Sequence, residues 1–483
     1  MLRLKLFLLM GLGLAALVPS ATIAQGAVDP SFGVGGRAVF TFAPDRVGDV
    51  FAARSGPGGR LLVAGDVGSA NSDSAVARLT SRGRLDASFA GDGTAVLPLS
   101  PRSDEALGVD SLPGGGLVLT GAAVARWSVN HEGDEVDDYD AFVVRLQPNG
   151  APDAGFGNRG VVTLRTGRRP DAFEQAQAAL ALPDGRLLVA GTDDQGVFLA
   201  QLLPDGRPNP LFGEDGVARP FPRARQFFVE DLLVDGPGRV VLVGEVVRSG
   251  GVSGEGTDTR DFDFAAGRVN VDGRPDLTFG RRGLALIPAG DESGGLFDDD
   301  LVSGAGIRAG RVVLAGVADG NLAAARPVVV RLRRDGRVDR TFGRRGWWRG
   351  RRRAEDPVAG LDSRGRTWLA GATRRGMAVR RLTAAGRLDR GFAHRAGRRA
   401  ARRGRDAARA RTGSPRGGAN SKRRALQPSL RSSGAVAHVI TSFHAPLKLA
   451  AFQQGRRAPD PEIRLRSPVK GSLRSRPLPD HAD

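Results

Sequence analysis

The chain of 483 residues contains no cysteine, which removes disulfides, thiolate metal sites and cysteine nucleophiles together. Stability has to come from packing. Histidine is nearly as scarce, and before residue 395 only His131 and His394 occur. Histidine is the commonest general base. His131 sits in the acidic stretch SVNHEGDEVDDYD, and no GxSxG elbow accompanies it. A Ser-His-Asp site is therefore disfavoured, and His131 reads as a surface-loop residue. Tyrosine occurs once, and lysine is missing between Lys5 and Lys422, so arginine supplies every cation of the central region. After the N-terminal residues, no apolar run is long enough to span a bilayer.

The formal net charge of +19 is unevenly spread. Acidic residues outnumber arginines over 28–300, whereas basic residues dominate 301–483. No recognisable nucleic-acid module accompanies the basic part, so this reads as compositional bias and excludes nucleic acid as the expected partner.

Arg3 and Lys5, the apolar run LFLLMGLGLAALV and the small residues of SATIAQGA have the order of a secretory signal peptide. Residues 1–27 are expected to be removed on export. From about Arg395 the chain turns into Arg, Ala, Ser, Gly and Pro without apolar periodicity, so 395–483 is expected to be a disordered basic tail. Residues 28–394 remain as the folded part.

That part is built on repeats. One phrase recurs seven times: VDPSFG, LDASFA, PDAGFG, PNPLFG, PDLTFG, VDRTFG and LDRGFA, with Phe32, Phe89, Phe156, Phe212, Phe279, Phe342 and Phe392 in register. A period of roughly sixty residues marks a repeat array. Each interval holds a turn-plus-apolar run (GGRLLVAG, GGGLVLTG, DGRLLVAG, PGRVVLVG, AGRVVLAG, RGRTWLAG) and then a second short run (AVARL, FVVRL, FLAQL, FAAGRV, VVVRL, MAVRRL). These runs are short, rich in Val, Leu and Phe, and bounded by Gly, Pro and Asp, which predicts strands joined by tight turns. With the strand after each anchor and a weaker stretch before each turn, every unit has about four strands. The expected fold is all-β: a β-propeller of six four-stranded blades, or seven, whose edges are hidden by radial repetition. RAVFTF at 37–42 is expected to lend a strand to the last blade and close the ring.

On these three phrases, residues 28–394 resemble the delta-60 repeat proteins. The resemblance implies a propeller in an exported bacterial protein and implies no particular activity. The chain departs from the pattern after its last anchor, where HRAGRRAARRGRD begins no new strand.

The recurring aspartates Asp29, Asp86, Asp153, Asp276, Asp339 and Asp389, with Asn209 in the fourth unit, stand three residues before each Phe. A short polar side chain there bonds turn backbone, and the Phe packs between blades, so both read as structural anchors. Two acidic segments are candidate calcium ligands, Asp134, Asp137, Asp138 and Asp140 in one and Asp298, Asp299 and Asp300 in the other. Clustered carboxylates supply the oxygens that Ca²⁺ wants, yet neither segment has DxDxDG spacing. Trp127, Trp347, Trp348 and Trp368 are candidates for a sugar-stacking surface or for packing.

The functional expectation is an exported, monomeric, non-catalytic module that binds a protein, wall polymer or glycan through loops at one end of the ring, where insertions at 126–139 and 248–260 lengthen two units. No catalytic or cofactor residue is assigned. The alternatives are a carboxylate-using, calcium-assisted hydrolase or lyase, and a purely structural or adhesive component.

Overall fold

The computed structural model describes residues 32–389 except 35–37, 45, 47, 69–70, 130–134, 170–172, 223, 225, 250–260, 290–299, 319–325, 351–357, 362–363 and 374–375. The signal-peptide and tail segments, together with Asp29, Asp134, Asp298, Asp299 and Phe392, lie outside the described residues.

Strands follow one another around a propeller. The first sheet contains β1 (Gly48–Ser55), β2 (Leu61–Val67), β3 (Asp73–Leu79) and β4 (Thr94–Leu97). The second contains β5 (Asp104–Ser111), β6 (Leu117–Val129), β7 (Glu135–Leu146) and β8 (Val161–Leu164). The third is β9 (Gln175–Ala181), β10 (Leu187–Asp193), β11 (Gly196–Leu202) and β12 (Val217–Ala218). The fourth is β13 (Phe227–Val234), β14 (Arg239–Ser249), β15 (Asp261–Asn270) and β16 (Leu284–Ile287). The fifth is β17 (Leu301–Arg308), β18 (Arg311–Ala318), β19 (Arg326–Arg331) and β20 (Trp347–Arg349). A last sheet has three strands, β21 (Val358–Leu361), β22 (Thr367–Thr373) and β23 (Gly376–Arg381). All pairings are antiparallel, as hairpin-joined neighbours must be.

Two expectations are corrected. There are five complete four-stranded blades, not six or seven, and the sixth unit forms only the three-stranded sheet among the described residues. The arginine-rich stretch after Asp389, which carries no apolar alternation, lies outside the described residues. Nor does the segment at 37–42 close the ring with a strand. Its described residues, 38–42, have no strand pairing. Phe42 is buried instead on the first blade, against Val63, Val67 and Ala75, and Phe40 meets it edge-on at 5.6 Å.

The core is a series of apolar layers between neighbouring blades. Leu62 and Val76 meet Leu119 and Phe142, Val143 meets Val189 and Phe198, and Leu199 meets Leu242 and Val229. Beyond these, Phe264 meets Leu314 and Val328, and Val313 meets Leu369. Such stacking gives each unit a buried face that it could not bury alone.

The first strand of each complete blade carries a bulge, at Phe51, Leu107, Gln177, Glu230 and Ser303, where the register slips against the second strand. This accounts for the glycine ending each LVAG-type run. A Cβ at Gly65, Gly121, Gly191, Gly244 or Gly316 would stand 1.9–2.2 Å from the carbonyl oxygen of Asp49, Glu105, Gln175, Phe228 or Leu301. The bulged strand thus approaches its neighbour through a gap that only glycine leaves open.

Candidate functional site

The ring has two chemically distinct ends, set by strand direction. At the end where each third strand finishes, the anchor phrases make an identical latch. Arg145 Nε donates to Asp153 Oδ2 at 2.8 Å, Arg268 Nε to Asp276 Oδ2 at 2.9 Å, and Arg331 Nε to Asp339 Oδ2 at 2.9 Å. Arg78 with Asp86 and Arg381 with Asp389 repeat the pair. The same guanidiniums lie over Phe89, Phe156, Phe279 and Phe342 at 4.4–4.8 Å, a cation-π contact. They also reach the next blade: Arg78 bonds Pro148 O, Arg145 Pro204 O, Arg268 Arg334 O and Arg331 Ala384 O.

The described aspartates bond turn backbone. Asp86 accepts from Ser88 N, Asp153 from Gly155 N, Asp276 from Thr278 N and Asp339 from Thr341 N. The phenylalanines pack between blades, with Phe89, Phe156, Phe212, Phe279 and Phe342 all buried. Phe32 sits against Gly83 of the first blade in the same manner. The arginine partner eight residues before each aspartate escaped the sequence reading. One signal could have exposed it: the third blade, alone among the blades in having Asn209 for the aspartate, also alone has Gln201 in place of arginine. Asn209 Nδ2 donates to Gln201 Oε1 at 2.6 Å, a neutral pair where the other units are charged.

Arg54 of β1 reaches across to Asp231 of β13, bonding both carboxylate oxygens. Burial works against the Arg54 charge, but Asp231, with Asp110 behind it, outweighs that and holds the guanidinium above its ordinary pKa. Bidentate pairing of this kind holds a geometry as well as a charge. A void of about 20 Å³ lies beside Phe51, Leu107, Gln177 and Glu230, enough for a water molecule.

At the opposite end lie both long insertions. Much of the first is strand rather than loop, because β6 and β7 extend into a long hairpin in which Trp127 pairs with Asp137. Trp127 is 56 % exposed and carries the Arg102 guanidinium 5.0 Å from its ring centre. β14 and β15 form the equivalent extended hairpin at 248–260, whose tip, 250–260, lies outside the described residues. The other tryptophans are elsewhere: Trp347 and Trp348 are half-buried in β20, and Trp368 lies in β22 under Arg381.

The acidic residues of this end are dispersed into separate ion pairs. Asp137 meets Arg102 at 3.1 Å, Asp138 Arg126 at 2.6 Å and Asp140 Arg165 at 2.8 Å. Asp300 is buried and accepts from Ala289 N at 2.5 Å. Among the described residues no three acidic or histidine side chains are grouped as a metal site.

Glu174, which the sequence did not single out, is a strongly perturbed carboxyl. It is 3 % exposed and accepts from Gly167 N at 2.6 Å. Burial, helped by the charges of Asp140 and Asp193, pushes it up from 4.5 to about 7 despite that bond. A pKa raised in the folded state stabilises below the unfolded value and loses that contribution as pH climbs through the folded one. The melting temperature of the chain should therefore fall relative to Glu174→Gln between pH 4.5 and about 7. Parallel melting curves for the two proteins across that window would refute the assignment. The position is equivalent to Asp104 and Asp300, each two residues before the one facing the LVAG glycine. Asp104 likewise takes N–H bonds, from Ser74, Leu99 and Ser100. Three blades thus use a buried carboxyl to fasten the loop that enters the first strand.

Among known proteins, the domain of unknown function (DUF5122) beta-propeller matches at residues 57–89 and 182–212, each spanning an LVAG run and its anchor. The chain thus carries repeats of a propeller repeat family. No curated protein matches it. Solved structures with a similar course include the NanB sialidase of Streptococcus pneumoniae, at 8 % identity over 69 % of this chain and 67 % of that one, TM-score 0.38. An ulvan lyase of family PL25 aligns at 12 % identity over 73 % and 86 %, TM-score 0.36. An α-L-arabinofuranosidase of Lactobacillus brevis aligns at 10 % over 70 % and 94 %, TM-score 0.30. No residue role is carried across from them. No helix among the described residues is long and apolar enough to cross a membrane.

Proposed function

We propose that the chain is an exported, non-catalytic binding module that holds a glycan against the β6–β7 hairpin at the insertion end of the ring. The observation that carries this reading is Trp127: a large aromatic, more than half exposed, placed on the long β6–β7 hairpin and backed by the Arg102 guanidinium. An indole face fits the apolar face of a sugar ring, and the paired Arg102 and Asp137 on the same face of the hairpin suit hydroxyl groups. In a titration of the full chain with neutral oligosaccharides, Trp127→Ala should weaken binding tenfold or more without moving the melting temperature. Unchanged affinity in a folded Trp127→Ala protein would remove the hairpin from the binding surface.

A second reading, a carboxylate-dependent hydrolase or lyase, is favoured by Glu174 alone, since a carboxyl near 7 suits proton transfer at neutral pH. Turnover of glycosides that Glu174→Gln abolishes would establish it. The loop-fastening equivalents Asp104 and Asp300 favour the structural role instead.

A further inference from the structure

The anchor end holds a second feature that the hairpin end does not need. Between the fourth and fifth blades opens a groove of about 640 Å³, lined by Val234, Arg239, Arg268, Ile307, Arg334 and Asp335 among others. Each wall mixes two chemistries: Val234, 51 % exposed, stands with Arg239 on the fourth blade, and Ile307 with Ala309 and Arg334 on the fifth.

Two of these arginines have hydrogen-bonding capacity to spare. Arg239 lies 3.8 Å from Asp235 and 3.9 Å from Asp276, beyond hydrogen-bond length from both, and its Nε is shut away from solvent without a partner among the described residues. Arg334 is exposed and steadied at one atom, Nε donating to Ala309 O at 2.8 Å, which leaves its terminal nitrogens available. Arg268 is different: it is fully engaged with Asp235, Asp276, Thr278 and Arg334 O. Asp335 is paired with Arg333 at 2.8 Å.

The charges of this neighbourhood fix the kind of ligand. Four guanidiniums (Arg239, Arg268, Arg333, Arg334) stand against three carboxylates (Asp235, Asp276, Asp335), an excess of one positive charge. A single negative charge balances it, whereas a dianion would also feel three nearby carboxylates. Guanidinium forks match the planar carboxylate group in particular. The geometry points to a site for an amphipathic monocarboxylate, its carboxylate between Arg239 and Arg334 and its apolar body along Val234 and Ile307. A small apolar acid and the C-terminus of a peptide ending in an aliphatic residue share this chemistry.

Calorimetric titration of the full-length protein tests it with N-acetyl-leucine, its neutral amide, the peptide acid acetyl-Gly-Gly-Leu and inorganic phosphate. The acid should bind at one site at least tenfold more tightly than the amide, and phosphate should bind more weakly than the acid. Arg334→Gln should weaken acid binding tenfold or more at unchanged melting temperature, and so should Arg239→Gln. Should Arg239→Gln fail to fold, the exposed Arg334 carries the test alone. Tighter binding of the peptide acid assigns the groove to chain termini, and equal binding assigns it to small acids. Equal affinity for acid and amide, phosphate binding as tightly as the acid, or a folded Arg334→Gln protein with unchanged affinity each overturns the site. Trp127→Ala should leave all of these titrations unchanged, so failure here and failure of the glycan reading are separable.

Discussion

Arg268→Ala is expected to cost about 3–5 kcal/mol of stability, the usual result of removing one partner from a buried ion pair. The side chain is 4 % exposed and serves four neighbours at once: Asp276 at 2.9 Å, Asp235 at 3.1 Å, Thr278 Oγ1 at 2.9 Å and, in the next blade, Arg334 O at 2.7 Å. Its loss strands two carboxylates, Asp235 and Asp276, and removes the cation over Phe279. Urea unfolding followed by tryptophan fluorescence would measure it. Asp276→Asn should cost clearly less, because Arg268 then keeps Asp235. An Arg268→Ala loss below about 1 kcal/mol would reduce the latch to an exposed pair of ordinary strength. The latch also sets an acid limit. Burial alone would raise Asp276, but the bonds from Thr278 and the Arg268 charge outweigh it and hold the carboxyl below its usual value. A depressed folded pKa stabilises above the unfolded value and loses that contribution as pH falls through the folded one. Wild type should therefore lose more stability than Asp276→Asn on acidification below pH 3.8.

The latch shows how much of the fold was legible in the sequence. Anchors, hairpin turns and the LVAG and AVARL runs repeat with little change, because each copy makes the same contact with the next blade, and their strands stand where those phrases are. The innermost strands were the weakest signal. DVFAA, EALGV, AQAAL, VEDLL and VSGAG share few residues, since each bulge packs against a different neighbour at the ring centre. Their common mark lies across the sheet, in the glycine that the bulge requires. Arg54 and Asp231 were illegible for a related reason, as they are 177 residues apart and belong to no repeated phrase. In the first acidic insertion, composition reveals carboxylates and hides their partners. Arg102, Arg126 and Arg165 come from other strands or connections and take up Asp137, Asp138 and Asp140 one by one. Trp127 was visible as an aromatic, but only the long β6–β7 hairpin raises it into an exposed position.

Gly244→Ala is the sharpest test of the bulge. The new methyl carbon would lie 1.9 Å from Phe228 O and 3.0 Å from its carbonyl carbon. Those are backbone atoms, so no rotamer relieves the clash. β13 must either lose its bulge, which turns Glu230 and the Asp231 partner of Arg54 out of place, or separate from β14. The expected cost is about 3 kcal/mol or more, at or above the upper end for overpacking. Gly114→Ala supplies the comparison: its φ is +85° but nothing lies within 4 Å of the added carbon, so only backbone strain remains, about 1–2 kcal/mol. If close approach governs these glycines, Gly244→Ala should unfold at markedly lower urea than Gly114→Ala, and adding Arg54→Leu should lower it little further, because the cross-ring pair is already broken. Equal midpoints for the two alanine variants would mean that blade four yields at β13 without loss, and that the bulge does not set the glycine.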